Sequence, residues 1–210
     1  AAYQQQGADE LVILDVSATP EGRSTQTETV ERVRDRISIP LTVGGGVREV
    51  ADAAALLEAG ADKVAVNTAA VRNPAIVGEL AERFGSQCTV ISVDARRREE
   101  GDGWSVVVHS GQEETERDAI EWVREVADRG AGEILLTSWD RDGTRSGYDL
   151  ELLQAASRAV DVPIIASGGA NGPEHFAEGF EAGADAVLAA SIFHENDYRV
   201  DDIKDELADM

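Results

Sequence analysis

The sequence contains little cysteine, few aromatic residues and almost no lysine. Of its 210 residues, only Cys88 is a cysteine, 5% are aromatic, and only Lys63 and Lys204 are lysines. A single cysteine excludes an internal disulfide and any zinc site built from several thiolates. The three histidines are too few and too scattered along the chain to indicate a metal centre. We therefore expect no metal site.

Long apolar runs are also missing, whereas acidic residues are abundant. No run approaches the roughly 18–20 residues of a membrane-spanning helix, and no signal peptide opens the sequence, so we expect a cytoplasmic protein without a membrane partner. There are 41 acidic and 19 basic residues, which gives a formal net charge of −22. Such a charge repels nucleic acid. It is typical of a halophilic-type protein, since concentrated salt screens the self-repulsion; the alternative is an ordinary acidic protein.

The sequence repeats itself once. GADELVIL at 7–14 resembles GAGEILLT at 130–137, IPLTVGGG at 39–46 resembles VPIIASGG at 162–169, and GADKVAVNT at 60–68 resembles GADAVLAAS at 183–191. All three pairs are offset by 123 residues. This period is far longer than that of a solenoid, so the sequence indicates a duplicated half-domain.

Each repeat alternates short apolar runs with amphipathic segments, the pattern of parallel βα units. A turn signal at 101–103 predicts a hairpin inserted over 96–110, after the fourth strand. The runs predict strands at 10–15, 39–44, 63–67, 89–94, 133–138, 162–167 and 186–190, and the amphipathic segments predict helices at 25–37, 49–59, 73–84, 117–129, 149–160, 173–182 and 200–208.

Seven strands and an internal duplication favour a (β/α)₈ TIM barrel of two half-barrels that lacks its first strand. Strand 89–94 opens the second half, so its counterpart is expected about 123 residues earlier, before Ala1. We therefore expect one N-terminally incomplete barrel over 1–210, with halves at 1–88 and 89–210. The alternative is an open, doubly wound sheet of seven strands.

In such barrels the ligand lies at the carboxyl ends of the strands. Two repeat-related sets stand there, residues 44–46 with 67–68 and residues 167–169 with 190–191. Glycine allows close approach to the backbone, and hydroxyls at Thr68 and Ser191 add donors. The two sets predict a ligand with a phosphate at each end, unless these glycines only permit tight turns.

Charged residues stand at both ends of the predicted strands. Asp94 ends a strand and is placed for general acid–base chemistry, although it could instead cap a loop. Asp142 could bind substrate or close its own turn. Glu10, Lys63 and Glu133 open strands at the opposite rim, where they form either a structural salt-bridge layer or a polar gate.

Five motifs together resemble one family, the cyclase subunit of imidazole glycerol phosphate synthase in histidine biosynthesis. The stretch at 136–149, which contains Asp-Arg-Asp-Gly-Thr and then Ser-Gly-Tyr-Asp, is the most specific of them. The others are VGGGV at 43–47, NTAAV at 67–71, FGSQ at 84–87 and VDA at 93–95. The resemblance runs from about Ala1 to beyond Ser191.

The resemblance implies a substrate, a partner and roles for particular residues. Enzymes of this family combine ammonia from a partner glutaminase, in a heterodimer, with a ribulosyl aminoimidazole carboxamide nucleotide that carries two phosphates (PRFAR). They yield imidazole glycerol phosphate and the ribotide AICAR, with no metal or organic cofactor. By resemblance, Asp94 is catalytic; Gly46, Asn67 and Thr68 hold one phosphate; Gly143, Gly169, Ala190 and Ser191 hold the other, with Asp142 at the substrate; and Glu10, Lys63 and Glu133 belong to the ammonia gate.

The resemblance also implies that some catalytic residues are missing, and it leaves two alternative functions open. The family's first strand carries a second catalytic aspartate, a lysine and the gate arginine, none of which has a counterpart in this sequence. We therefore expect the 210 residues alone to have little or no cyclase activity. The alternatives are the isomerase that acts one step earlier in the same pathway, and a catalytically incomplete phosphate-binding barrel fragment.

Overall fold

The computed structural model describes residues 1–21 and 27–210. Apolar runs rich in Val, Ile and Leu form the strands, and the amphipathic segments between them form helices. The strands are β1 (Leu11–Leu14), β2 (Leu41–Gly44), β3 (Lys63–Val66), β4 (Thr89–Arg97), β5 (Trp104–Val108), β6 (Glu113–Asp118), β7 (Glu133–Ser138), β8 (Ile164–Ser167) and β9 (Ala186–Val187). The helices are α1 (Ala2–Gln5), α2 (Ala18–Glu21), α3 (Thr27–Arg34), α4 (Val50–Glu58), α5 (Thr68–Arg72), α6 (Ala75–Phe84), α7 (Ala119–Asp128), α8 (Leu150–Ser157), α9 (Pro173–Glu181), α10 (Ser191–His194) and α11 (Val200–Ala208).

Seven strands form a parallel sheet in the order β1-β2-β3-β4-β7-β8-β9. Each of these strands therefore pairs with the next parallel strand along the chain. A doubly wound sheet reverses its strand order at a switch point, and this sheet does not, so the alternative of an open doubly wound fold is wrong. The sequential order is that of a (β/α) barrel, and the predicted fold class is confirmed.

The sheet curves enough for the first residues of the chain to touch the last two helices. The Tyr3 hydroxyl lies 2.5 Å from Nδ1 of His194 in α10, and Lys204 in α11 forms an ion pair of 2.7 Å with Asp9. Within the described residues no ladder joins β9 to β1. Curvature around a common axis brings the carboxyl ends of the parallel strands to one rim.

The duplication extends to individual hydrogen bonds. Asp62 accepts from the backbone N–H of Leu41 at 2.8 Å, and 123 residues later Asp185 accepts from that of Ile164 at 2.9 Å. The backbone N–H groups of the same two aspartates donate to the carbonyls of Leu41 and Ile164. Each Gly-Ala-Asp turn thus joins the end of a helix to the neighbouring strand in the same way. The sequence repeat is also a repeat of structure.

The structure departs from the predicted elements in several places. The helix predicted over 73–84 is α6, and the short helices α2, α5 and α10 were missed. The strand predicted over 186–190 is reduced to Ala186–Val187, because within the described residues it pairs only with β8. The insertion after the fourth strand is a hairpin of β5 and β6 that extends to Asp118, beyond the predicted 96–110. Residues 25–26 of the helix predicted at 25–37 lie outside the described residues.

Candidate active site

A cavity of about 490 Å³ opens at the carboxyl ends of the parallel strands. The hairpin of β5 and β6 lies beside it because β5 pairs with the far end of β4. The cavity is lined by polar groups and, deeper in the barrel, by apolar side chains; the residues used below are Asp15, Val16, Gly45, Asn67, Thr68, Arg72, Ser92, Asp94, His109, Ser110 and Thr137.

The carboxyl group of Asp94 lines this cavity. It accepts a hydrogen bond of 2.9 Å from the side-chain amide of Asn67, and Thr137 on the adjacent strand also bonds to it. Burial, and then the negative charge of Asp142, raise the pKa of Asp94 from 3.8 to about 7, although the two hydrogen bonds oppose this rise. A carboxyl group that is half ionised near neutral pH can both accept and return a proton.

Asn67 contacts Asp94 directly, and the spacing of these two residues in the sequence did not reveal this contact. Its Nδ2 donates to Asp94, whereas its Oδ1 is buried without a hydrogen-bond partner among the described residues. A buried acceptor without a donor is costly. Asn67 therefore orients Asp94 through its amide, while its own side-chain oxygen stays buried.

The glycine turn after β2 comes very close to the end of β1. A Cβ at Gly45 would lie 2.3 Å from the carbonyl oxygen of Asp15, and the φ of Gly45 is +96°. Only glycine fits this approach. Gly45 and Thr68 line the cavity, and Gly46, at φ +68°, stands between the lining residues Gly45 and Val47. The first predicted phosphate set is thus brought together around the half of the rim nearest to β1, β2 and β3.

The second predicted phosphate set lies on the same rim but outside this cavity. Gly143, Gly169, Ala190 and Ser191 follow β7, β8 and β9, and none of them is among the lining residues. Gly169 is held by the loop after β7, because it accepts from the N–H of Gly147 at 2.8 Å and a Cβ would lie 2.2 Å from the Gly147 carbonyl.

The predicted cluster at the opposite rim is present. Nζ of Lys63 donates to Glu10 at 2.8 Å and to both oxygens of Glu133 at 2.7 and 2.9 Å. Thr42 donates to the other oxygen of Glu10 at 2.5 Å. Burial lowers the pKa of Lys63, but the hydrogen bonds and charges of the two glutamates outweigh it and leave that pKa raised. Lys63 is therefore a cation between two carboxylates.

Two site residues that the sequence analysis did not identify come from the inserted hairpin. His109 and Ser110 form the bend after β5 and line the cavity, and both have φ of +54°. The His-Ser-Gly run is a recognisable turn signal. It gives no indication that the bend lies against residues more than forty positions earlier, because that contact depends on the closure of the sheet.

Two kinds of feature are absent from the part of the chain that the structure describes. Among residues 1–21 and 27–210, no helix is both long and apolar enough to cross a bilayer. Over the same part of the chain, no group of three or more His, Cys, Asp and Glu side chains is arranged to hold a metal ion.

The fold and the rim define a class of protein, the parallel β/α barrels that bind ligands at the carboxyl ends of their strands. Residues 1–199 match the family model described as "Histidine biosynthesis protein". Curated relatives named "Imidazole glycerol phosphate synthase subunit HisF" include those of Mycobacteroides abscessus (55% identical, covering 99% of this chain and 83% of the relative), Exiguobacterium sibiricum (54%, 98% and 82%) and Metallosphaera sedula (55%, 99% and 82%). The chain belongs to this histidine-biosynthesis family, among its imidazole glycerol phosphate synthase HisF subunits.

Proposed function

We propose that this chain carries, in the cavity at the carboxyl rim, the cyclase site that converts PRFAR and ammonia to imidazole glycerol phosphate and AICAR. The observation that carries this proposal is the placement of Asp94, whose pKa is about 7, in the cavity beside the side-chain amide of Asn67. Addition of ammonia to a carbonyl and loss of water both require proton transfers, and Asp94 performs them.

The two ends of the substrate bind on opposite sides of Asp94. Gly46, Asn67 and Thr68 take one phosphate, and Gly143, Gly169, Ala190 and Ser191 take the other, with Asp142 at the substrate between them. Positive φ at the glycines supports this assignment, because such turns expose backbone N–H groups to an anion. Donors that are fixed in place are needed here, since the net charge of −22 repels a bisphosphate.

Ammonia enters from the other end of the barrel, from a glutaminase subunit that forms a heterodimer with this chain. The cluster of Lys63, Glu10 and Glu133 supports this route, because these charged side chains pair with one another at the amino-terminal rim of the strands. The cluster acts as the gate at this rim.

Ammonia-dependent turnover tests the proposal. The protein encoded by the full gene is mixed with PRFAR and an ammonium salt in concentrated salt buffer, and formation of AICAR and imidazole glycerol phosphate is followed. Asp94→Asn is expected to reduce kcat by at least about 100-fold, the usual contribution of a general acid–base group. Turnover that survives this substitution contradicts the role of Asp94. Isomerisation of the precursor in place of PRFAR consumption identifies the isomerase instead, and phosphate binding without either reaction identifies a non-catalytic barrel.

A further inference from the structure

The bend of the inserted hairpin bridges two sides of the cavity mouth. The backbone N–H of His109 donates to Oγ1 of Thr68 at 3.1 Å, after β3. The Ser110 hydroxyl donates to the carbonyl of Val16 at 2.8 Å, after β1. Both bend residues have positive φ, a backbone conformation that costs free energy and persists only where other contacts offset that cost. The bend is therefore anchored at two separate points of the rim.

The anchor at Thr68 fixes how its hydroxyl can act. A hydroxyl group has one proton to donate and can accept through its lone pairs. Because Oγ1 of Thr68 already accepts from His109, its own proton remains available for an oxygen atom in the cavity. The hairpin thus makes Thr68 a hydrogen-bond donor toward a bound anion.

Arg72 stands beside this hydroxyl. It lies four residues after Thr68 in α5, so both side chains point to the same side of the helix, and both line the cavity. A guanidinium nitrogen of Arg72 is 2.5 Å from Nε2 of His109. Guanidinium can only donate, so Nε2 accepts in this contact. His109 therefore touches both residues, Thr68 through its backbone and Arg72 through its ring.

We infer that Arg72 is a further anion-binding residue at the Asn67–Thr68 side of the cavity, and that His109 is its positioning residue. The inference rests on the proposed function. The nearest carboxylate, Glu113, is 3.8 Å from the guanidinium and more than half exposed, so it competes only weakly for that cation. A phosphate at Thr68 offers shorter, charge-assisted hydrogen bonds in a geometry that suits guanidinium.

The role predicts a specific kinetic effect. The phosphate lies away from the reacting atoms, so its contacts stabilise the bound substrate and the transition state equally. Loss of such a contact raises KM and leaves kcat unchanged. Arg72→Gln should therefore raise KM for PRFAR about tenfold, as expected for one charge-assisted hydrogen bond. Arg72→Lys, which keeps the charge without the planar fork, should recover part of this loss.

The experiment compares Arg72→Gln and Arg72→Lys with Arg124→Gln, which removes the same charge from an exposed position on α7. KM and kcat for PRFAR are measured with ammonia, and inorganic phosphate is titrated as a competing ligand by calorimetry. Weaker phosphate binding and higher KM in Arg72→Gln, with no change in Arg124→Gln, support the inference. An unchanged KM and phosphate affinity in Arg72→Gln overturn it.

The positioning role of His109 is tested separately. His109→Asn tolerates the positive φ but is too short to reach Arg72, whereas the longer amide of His109→Gln can accept from the guanidinium. His109→Asn should raise KM for PRFAR, and the double variant with Arg72→Gln should have the same KM as Arg72→Gln alone. His109→Gln should keep KM close to the wild-type value. Additive effects overturn the positioning role.

These results separate the inference from the proposed function. If the wild-type protein does not consume PRFAR, the proposed function fails, and the phosphate titration alone decides the role of Arg72. Phosphate affinity that falls in Arg72→Gln then supports an anion site, whereas a wild-type protein that does not bind phosphate overturns it.

Discussion

Replacement of Asp94 by asparagine should stabilise the protein at alkaline pH while it removes activity. The folded-state pKa of Asp94 is about 7, above its ordinary value of 3.8, chiefly because of burial and secondly because of Asp142. Between about pH 4 and pH 7 the folded protein therefore keeps a proton that the unfolded chain has released. The resulting contribution to stability is complete at low pH and is lost as the pH rises through about 7.

The size of the effect follows from the two pKa values. Their difference corresponds to about 4 kcal/mol above pH 7. Asp94 lines an open cavity, so water relieves part of the cost of its charge. We expect Asp94→Asn to raise the free energy of unfolding by about 2 kcal/mol at pH 8 and by almost nothing near pH 4. The hydrogen bond from Asn67 can be retained, since the new side-chain oxygen still accepts.

Urea denaturation across this pH range, at constant high salt, measures the effect. Asp161→Asn is the matched control, because Asp161 is exposed and its replacement removes one negative charge from the same highly acidic chain. Any gain from reduced net charge appears in both variants, whereas the stabilisation that grows from about pH 4 to pH 7 and then levels off belongs to Asp94 alone. A gain that is equal in the two variants, or independent of pH, would refute the reasoning about burial.

Three further predictions follow from the same contacts. Asp142→Asn should lower the pKa of Asp94, because it removes a neighbouring negative charge; carbon-13 NMR titration of the Asp94 carboxyl measures this, and an unmoved midpoint contradicts it. Lys63→Met should lower the free energy of unfolding, measured by urea denaturation, by about 2 kcal/mol, because two half-buried glutamates lose their cation. Further replacement of Glu133 by Gln should restore part of this stability. A cost below about 0.5 kcal/mol excludes the ion pairs as a source of stability. Asp185→Ala should cost about 1 kcal/mol through loss of the hydrogen bond from Ile164, whereas Asp161→Ala, also exposed but outside the Gly-Ala-Asp turn, should cost almost nothing. Equal midpoints in thermal unfolding contradict the turn's role.

The sequence by itself determined the periodic architecture. The offset of 123 residues predicted equivalent turns, and Asp62 and Asp185 make equivalent hydrogen bonds. The strand starts placed Glu10, Lys63 and Glu133 at one rim, and these residues form ion pairs there. These features could be predicted because they depend on local periodicity and on the few ways in which parallel βα units pack.

Tertiary structure alone decided which of the rim residues act together. The contact from Asn67 to Asp94 spans 27 residues and that from His109 to Thr68 spans 41, and neither has a signature in the local sequence. The glycine turns of the second half resemble those of the first, yet only the first half's Gly45 lines the cavity. The curvature of the sheet and the position of the inserted hairpin decide this, because both set distances between segments whose local patterns are alike.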